Sequence, residues 1–119
     1  MFKSLRTFIG ANNFKESKIF YKDLGFIENS ITSTLSYFKI DDKLGFYLQN
    51  AAIKDWIDNT MLFLEVDNLE AYYLVIKEKE LTSKYKLVKL SKIIEKDWGK
   101  EFFLHDPSGI LWHFGNFKE

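Results

Sequence analysis

The sequence predicts an α+β fold built from two β-α-β-β-β modules, and three observations carry that prediction. A strand followed by a helix and further strands is read in the first half, and the same order begins again at about residue 60. Asn13 and Asp67 each stand three residues before a glutamate, the spacing of a helix-opening capping box. The chain then closes on an aromatic hairpin, Glu101–His105 and Ile110–Gly115, folded around Asp106-Pro107-Ser108-Gly109.

Taken in order, Leu5–Gly10 is expected as the first strand. A helix capped by Asn13 should run to Leu24 and stop at Gly25, which suits the left-handed position just past a helix. Phe26–Ser30, Thr34–Ile40 and Leu44–Gln49 read as three strands, the last two joined by a turn at Asp41-Asp42-Lys43. Residues 50–59 form a connector that contains Trp56, so module one covers about 1–50 and module two about 60–119 of a single domain. Thr60–Val66 opens the second module. A helix capped by Asp67 follows to about Lys79, and Lys86–Leu90 is a short strand. The mixed charges of Lys77–Lys96 read as a solvated helix end and loop. Sliding the chain on itself by 55 residues sets Asn12 on Asp67, Phe14 on Leu69 and Phe20 on Val75, although almost no residue is shared.

The closing turn has its own chemistry. Pro107, the only proline, presets φ where no ladder needs its amide, Asp106 can bond the backbone ahead, and Gly109 takes the left-handed position. A one-residue bulge after the turn sets Phe103 opposite His113 and His105 opposite Leu111.

Composition narrows the function. Length indicates one domain that buries about two-thirds of its unfolded surface. Aromatic residues make up 18%, about twice an ordinary share, so the core or a ligand surface is rich in rings. Seventeen basic and seventeen acidic residues cancel, which argues against nucleic-acid and anionic-membrane partners. Without cysteine there is no disulfide framework, thiolate metal site or cysteine nucleophile. No signal peptide or apolar membrane span is read, and a cytoplasmic protein is expected. No phosphate loop, nucleophile elbow or zinc-protease motif is found.

Alternation along strands separates two faces. Leu62, Leu64, Val66, Ile110, Trp112 and Phe114 should pack on the helices. Arg6, Phe8, Gly45, Tyr47, Gln49, Met61, Phe63, Glu65, Glu101, Phe103, His105, Leu111, His113 and Gly115 face the other way.

Three segments resemble one family. Trp98-Gly99-Lys100-Glu101-Phe102, followed by Asp106-Pro107-Ser108-Gly109 and Leu111-Trp112-His113-Phe114-Gly115, resembles the end of bleomycin-resistance-type proteins. These are members of the glyoxalase, bleomycin-resistance and extradiol dioxygenase (vicinal oxygen chelate) superfamily. Phe20-Tyr21-Lys22-Asp23-Leu24-Gly25-Phe26 resembles the family's FYxxLGF, and Asp58-Asn59-Thr60 resembles the opening of the middle strand in bleomycin-binding members. The resemblance implies a curved mixed sheet around a ligand cup lined by the second face. It leaves function open, because this fold hosts binders, lyases, isomerases and ring-cleaving oxygenases.

The resemblance also implies ligand positions. Metal-dependent members hold a divalent ion through one residue on each of four strands, and these positions fall on Arg6, Tyr47, Met61 and His113. Arginine cannot ligate, and methionine and neutral tyrosine are poor ligands for such ions, so no metal or other cofactor is expected. A different metal cluster from His105, His113 and Glu101 is the competing possibility. The residues expected to contact a ligand are Arg6, Tyr47, Phe63, Glu65, Trp98, Phe103 and His113; the bland reading is core packing for each ring and an exposed charge for Arg6. Glu65 and Glu101 are alternative ion-pair partners of Arg6. Trp98 matches a tryptophan that stacks on planar ligands in bleomycin binders.

These readings point to a metal-free protein that sequesters a planar or antibiotic-like small molecule. The alternatives are a metal-dependent enzyme of the superfamily or an acid–base enzyme using His113 or Glu65. A two-fold homodimer is expected, because open sheet edges and a concave aromatic face call for cover, with Trp56 near the interface.

Overall fold

Asn13 and Asn68 start the two long helices of the chain. The side-chain oxygen of Asn13 accepts from the Glu16 amide at 3.0 Å and opens α1, Phe14–Leu24. That of Asn68 accepts from the Ala71 amide at 3.1 Å and opens α3, Leu69–Glu78. The second cap is therefore Asn68, not Asp67. Glu70, which the capping-box spacing assigned to Asp67, is drawn instead to the ammonium of Lys100. The computed structural model describes residues 1–119 and divides into two compact units, Met1–Asp58 and Asn59–Glu119.

In the first unit the buried residues Phe14, Ser17, Phe20, Tyr21 and Leu24 recur at helical spacing along α1. The helix ends at Gly25, at φ 108°. Its amide donates to the carbonyl of Lys22, and the Phe26 amide donates to that of Tyr21, each at 3.0 Å. Four strands, β1 (Phe8–Gly10), β2 (Ile27–Thr32), β3 (Leu35–Lys39) and β4 (Gly45–Gln49), form a sheet in the order β1-β4-β3-β2. β1 runs parallel to β4, and the other pairs are antiparallel. Ile9, Phe38, Phe46 and Leu48 point to α1 and are fully buried with Phe20 and Tyr21. Phe38 stacks on Phe46 at 5.7 Å, and Tyr21 meets Phe46 edge-on at 5.0 Å.

The first strand is shorter than expected. It begins at Phe8 because Leu5 has nothing to pack on and is 98% exposed, although the Thr7 carbonyl still accepts from the Tyr47 amide at 2.9 Å. The connector is partly helical: α2 spans Lys54–Asp58, closed by a Lys54–Asp58 ion pair and anchored by buried Ile57.

In the second unit, β5 (Met61–Glu65) precedes α3, and a short α4 (Leu81–Lys84) follows it. Then come β6 (Lys89–Leu90), β7 (Ile94–Lys96), β8 (Gly99–His105) and β9 (Leu111–Phe117). The sheet order is β5-β9-β8-β6, with β7 also paired to β8 and β5 parallel to β9. β6 and β7 together act as one interrupted edge strand, so both units share the same strand order. The expected strand Lys86–Leu90 shrinks to its last two residues, and Lys77–Lys96 is more ordered than a solvated loop. Leu81, Tyr85 and Val88 are buried among its charges. Where the edge breaks, Ser91 bridges it. The Phe103 amide donates to Ser91 Oγ at 2.8 Å, and the Ser91 amide donates to the Phe103 carbonyl at 3.0 Å.

The hairpin follows the expected register, with Phe103 opposite His113 and His105 opposite Leu111. Buried Asp106 accepts from the amides of Ser108 (2.8 Å) and Ile110 (2.9 Å), and Gly109 turns at φ 100°. Phe102, Leu104, Ile110, Trp112 and Phe114 form the buried side of this sheet. No helix is long and apolar enough to cross a membrane.

Candidate functional site

The opposite side of the second sheet carries most of the expected ligand contacts. Phe63 projects from the middle of β5 opposite His113 on β9, and their rings stack at 6.4 Å. Phe103 meets the same imidazole edge-on at 4.9 Å. Trp98, just before β8, lies 5.9 Å from Phe63. Phe117, at the end of β9, completes a three-ring cluster, 5.1 Å from Trp98 and 5.6 Å from Phe63. Phe63 is 45% exposed and Phe117 47%, so this is an open aromatic surface rather than core. Gly115 makes room for it: a Cβ there would sit 2.5 Å from the Phe63 ring.

Within this face stands a polar pair. Glu101 is only 7% exposed, and its Oε1 lies 2.9 Å from Nδ1 of His113. A carboxylate can only accept, so Nδ1 donates to it and the bond orients the ring. Glu101 thus pairs with His113, and the reading that gave it to Arg6 is replaced. Glu65 is exposed at the end of β5, with no ion pair or side-chain hydrogen bond.

His105 does not join this group. It sits at the far end of β8 opposite Leu111, and burial followed by the charge of Lys89 lowers its pKa. No three histidine or acidic side chains come together as an ion would need, so the His105, His113 and Glu101 cluster does not form. Glu101 is committed to His113, and a cation, Lys89, is the neighbour of His105.

On the first unit, Arg6 and Tyr47 come together. Arg6 donates to the Tyr47 hydroxyl at 2.9 Å, and its guanidinium lies 4.2 Å from the Tyr37 ring centre. Phe8 stacks on Tyr47 at 4.8 Å. Gly45 leaves the space that the Tyr37 hydroxyl fills. The family's four metal positions do not fit a divalent ion. Arg6 is a cation and uses the Tyr47 oxygen as its own acceptor, Met61 offers a thioether, and His113 alone has a suitable nitrogen.

Two contributors, Tyr37 and Phe117, were missed in the sequence. Tyr37 is readable by alternation, since it lies opposite Tyr47 across the β3–β4 ladder. Phe117 follows His113 and Gly115 at strand spacing, but the strand was expected to end at Gly115.

These sheets and this strand order define the class: the chain has the glyoxalase/bleomycin-resistance fold. It is similar to a bleomycin-binding protein complexed with bleomycin, at 17% identity over 98% of this chain and 100% of that one, with a TM-score of 0.81. It is similar also to the bleomycin-binding protein of Streptomyces verticillus complexed with copper(II)-bleomycin. There the identity is 17% over 99% and 98% of the two chains, with a TM-score of 0.79. A glyoxylase/bleomycin resistance protein/dioxygenase domain from Frankia sp. EAN1pec matches at 12% identity over 99% of each chain, with a TM-score of 0.76. No protein-family model and no curated protein sequence matches the chain.

Proposed function

We propose that the protein binds a small planar organic molecule and acts by holding it, as a sequestering protein would. The observation that carries this reading is the open cluster of Phe63, Trp98 and Phe117 beside His113. Stacked rings on an exposed sheet face favour a flat ligand, and the similar bleomycin-binding proteins were crystallised with a small molecule, bleomycin or copper(II)-bleomycin. The test is tryptophan fluorescence titrated with bleomycin and with other planar compounds. Quenching that disappears in W98F but persists in W56F supports the reading. An unchanged signal with every compound at high micromolar concentration would overturn it.

A second reading, proton transfer by His113, is favoured by the Glu101 bond that orients its ring. Turnover of a bound compound that is lost in H113Q while binding persists would support it over sequestration.

The same proposal has the protein working in the cytoplasm as a homodimer. Trp56 on α2 is 58% exposed, and tryptophan is a ring type enriched at interfaces. Light scattering at micromolar concentration should give about 28 kDa, twice the 14.1 kDa chain.

A further inference from the structure

We infer that Arg6, held by Tyr37 and Tyr47 beside Phe8, is a receptor for the carboxylate of a flat ligand. The inference rests on the small-molecule reading above and adds a charge to it. Arg6 is the only arginine among seventeen basic residues. Within its own unit no acidic side chain pairs with it: its contacts there are the Tyr47 hydroxyl at 2.9 Å and the faces of Tyr37 and Tyr47, at 4.2 and 5.6 Å. A guanidinium carries five N–H donors in one plane, and the hydrogen bond uses one of them. The Tyr37 ring lies against the guanidinium and the Tyr47 oxygen fixes one corner, so a fork of donors remains for an acceptor in that plane.

The surroundings favour a carboxylate on a flat body. Phe8, 55% exposed, stacks on Tyr47 and extends an aromatic floor next to the charge. The hydrogen bond to Tyr47 is the largest influence on the guanidinium and raises its pKa further, so the positive charge is permanent at any working pH. A planar carboxylate offers two coplanar oxygens matching the fork. Phosphate shares the negative charge but is tetrahedral, and a second lysine or arginine that it would favour is not among the contacts of this group.

The test uses the whole chain and three probes of one shape: 2-naphthoate, its neutral methyl ester and 2-naphthyl phosphate. Calorimetry gives affinity, while the ring proton shifts of Tyr37 and Tyr47 report this site and Trp98 fluorescence reports the aromatic cluster of the second unit. The expected result is tighter binding of naphthoate than of the ester, with Tyr37 and Tyr47 shifts. R6Q should weaken naphthoate by about ten- to a hundred-fold, the usual worth of a charged hydrogen bond, and leave the ester unchanged. R6K should recover little, because an ammonium lacks the planar fork. Arg6 is solvent-exposed and outside the strands, so unchanged circular dichroism is expected for both variants. Equal binding of acid and ester, tighter binding of the phosphate, or full recovery in R6K each overturns the inference. Trp98 quenching without Tyr37 and Tyr47 shifts overturns it while leaving the planar-ligand reading intact. Tyrosine shifts without Trp98 quenching support the carboxylate site and sink the proposed use of the second unit's cluster.

Discussion

Glu101 Oε1 and His113 Nδ1 lie 2.9 Å apart, diagonally across the β8–β9 ladder, where Glu101 is opposite Gly115 and His113 opposite Phe103. The carboxylate is buried and one of its oxygens is held by the imidazole, so the pair depends on both members. H113F should lose about 3 kcal/mol by stranding a buried carboxylate, more than a neutral unsatisfied group would cost. The double variant E101L/H113F should regain much of that loss, because no charge is then left without a partner. Urea unfolding of the two singles and the double gives the coupling; simple additivity would show that the bond contributes nothing.

Two glycines of the same hairpin should respond differently to alanine. At Gly99 a Cβ would sit 2.0 Å from the Asn116 carbonyl oxygen and 2.9 Å from Phe117 Cα, so backbone must move. G99A is expected to destabilise by about 2–3 kcal/mol, as overpacking against fixed atoms does. At Gly115 the obstacle is mainly the exposed Phe63 ring, which can swing aside. G115A should stay within about 1 kcal/mol of the parent in thermal unfolding. It should nevertheless lose ligand quenching, because Phe63 leaves Trp98 and Phe117.

Glu28 on β2 should make stability depend on acid. Burial opposes its ionisation, but the Ser36 hydroxyl at 2.6 Å and the charges of Lys18 and Lys22 outweigh burial and lower its pKa. A carboxyl lowered in the folded state stabilises above its unfolded pKa, and that stability is lost as pH falls through the folded value. The urea midpoint of the parent should therefore exceed that of E28Q at pH 7, and the gap should narrow at pH 3. A gap of constant size would show that the hydrogen bond, not the charge, carries the effect.

The helix caps give a direct check of which asparagine or aspartate matters. N13A and N68A should each cost about 1 kcal/mol, the usual worth of a side-chain cap. D67A should fall within about 0.5 kcal/mol of the parent, as a surface substitution does. Chemical denaturation of the three variants ranks them.

Those caps also show what could be read from the sequence. The offset that aligned Asn12 with Asp67 aligns Asn13 with Asn68, the residues that do cap, yet the glutamate spacing pulled the assignment one place early. The hairpin register and the buried side of β8 and β9 were legible because Phe102, Leu104, Trp112 and Phe114 alternate without exception. Between Lys77 and Lys96 that signal fails. The buried Leu81, Tyr85 and Val88 are spaced for a short helix and an irregular turn, and charges surround them, so neither period emerges. The candidate site was legible as residues that share a face and not as a set of bonds. Alternation placed Phe63, Phe103 and His113 together, but nothing in the order of residues says that Glu101 selects His113 and that Arg6 selects tyrosines.

The repeated strand order has a consequence for change over time. Phe8 on β1 and Phe63 on β5 hold matching places, each opposite the residue that gives its face a character: Tyr47, bound to a cation, in one unit and His113, bound to a carboxylate, in the other. A protein that built two such faces from identical copies of a half-length chain would alter both with every substitution. Here the two halves are encoded separately, so the charge carried by one face can change by substitution while its counterpart keeps its own.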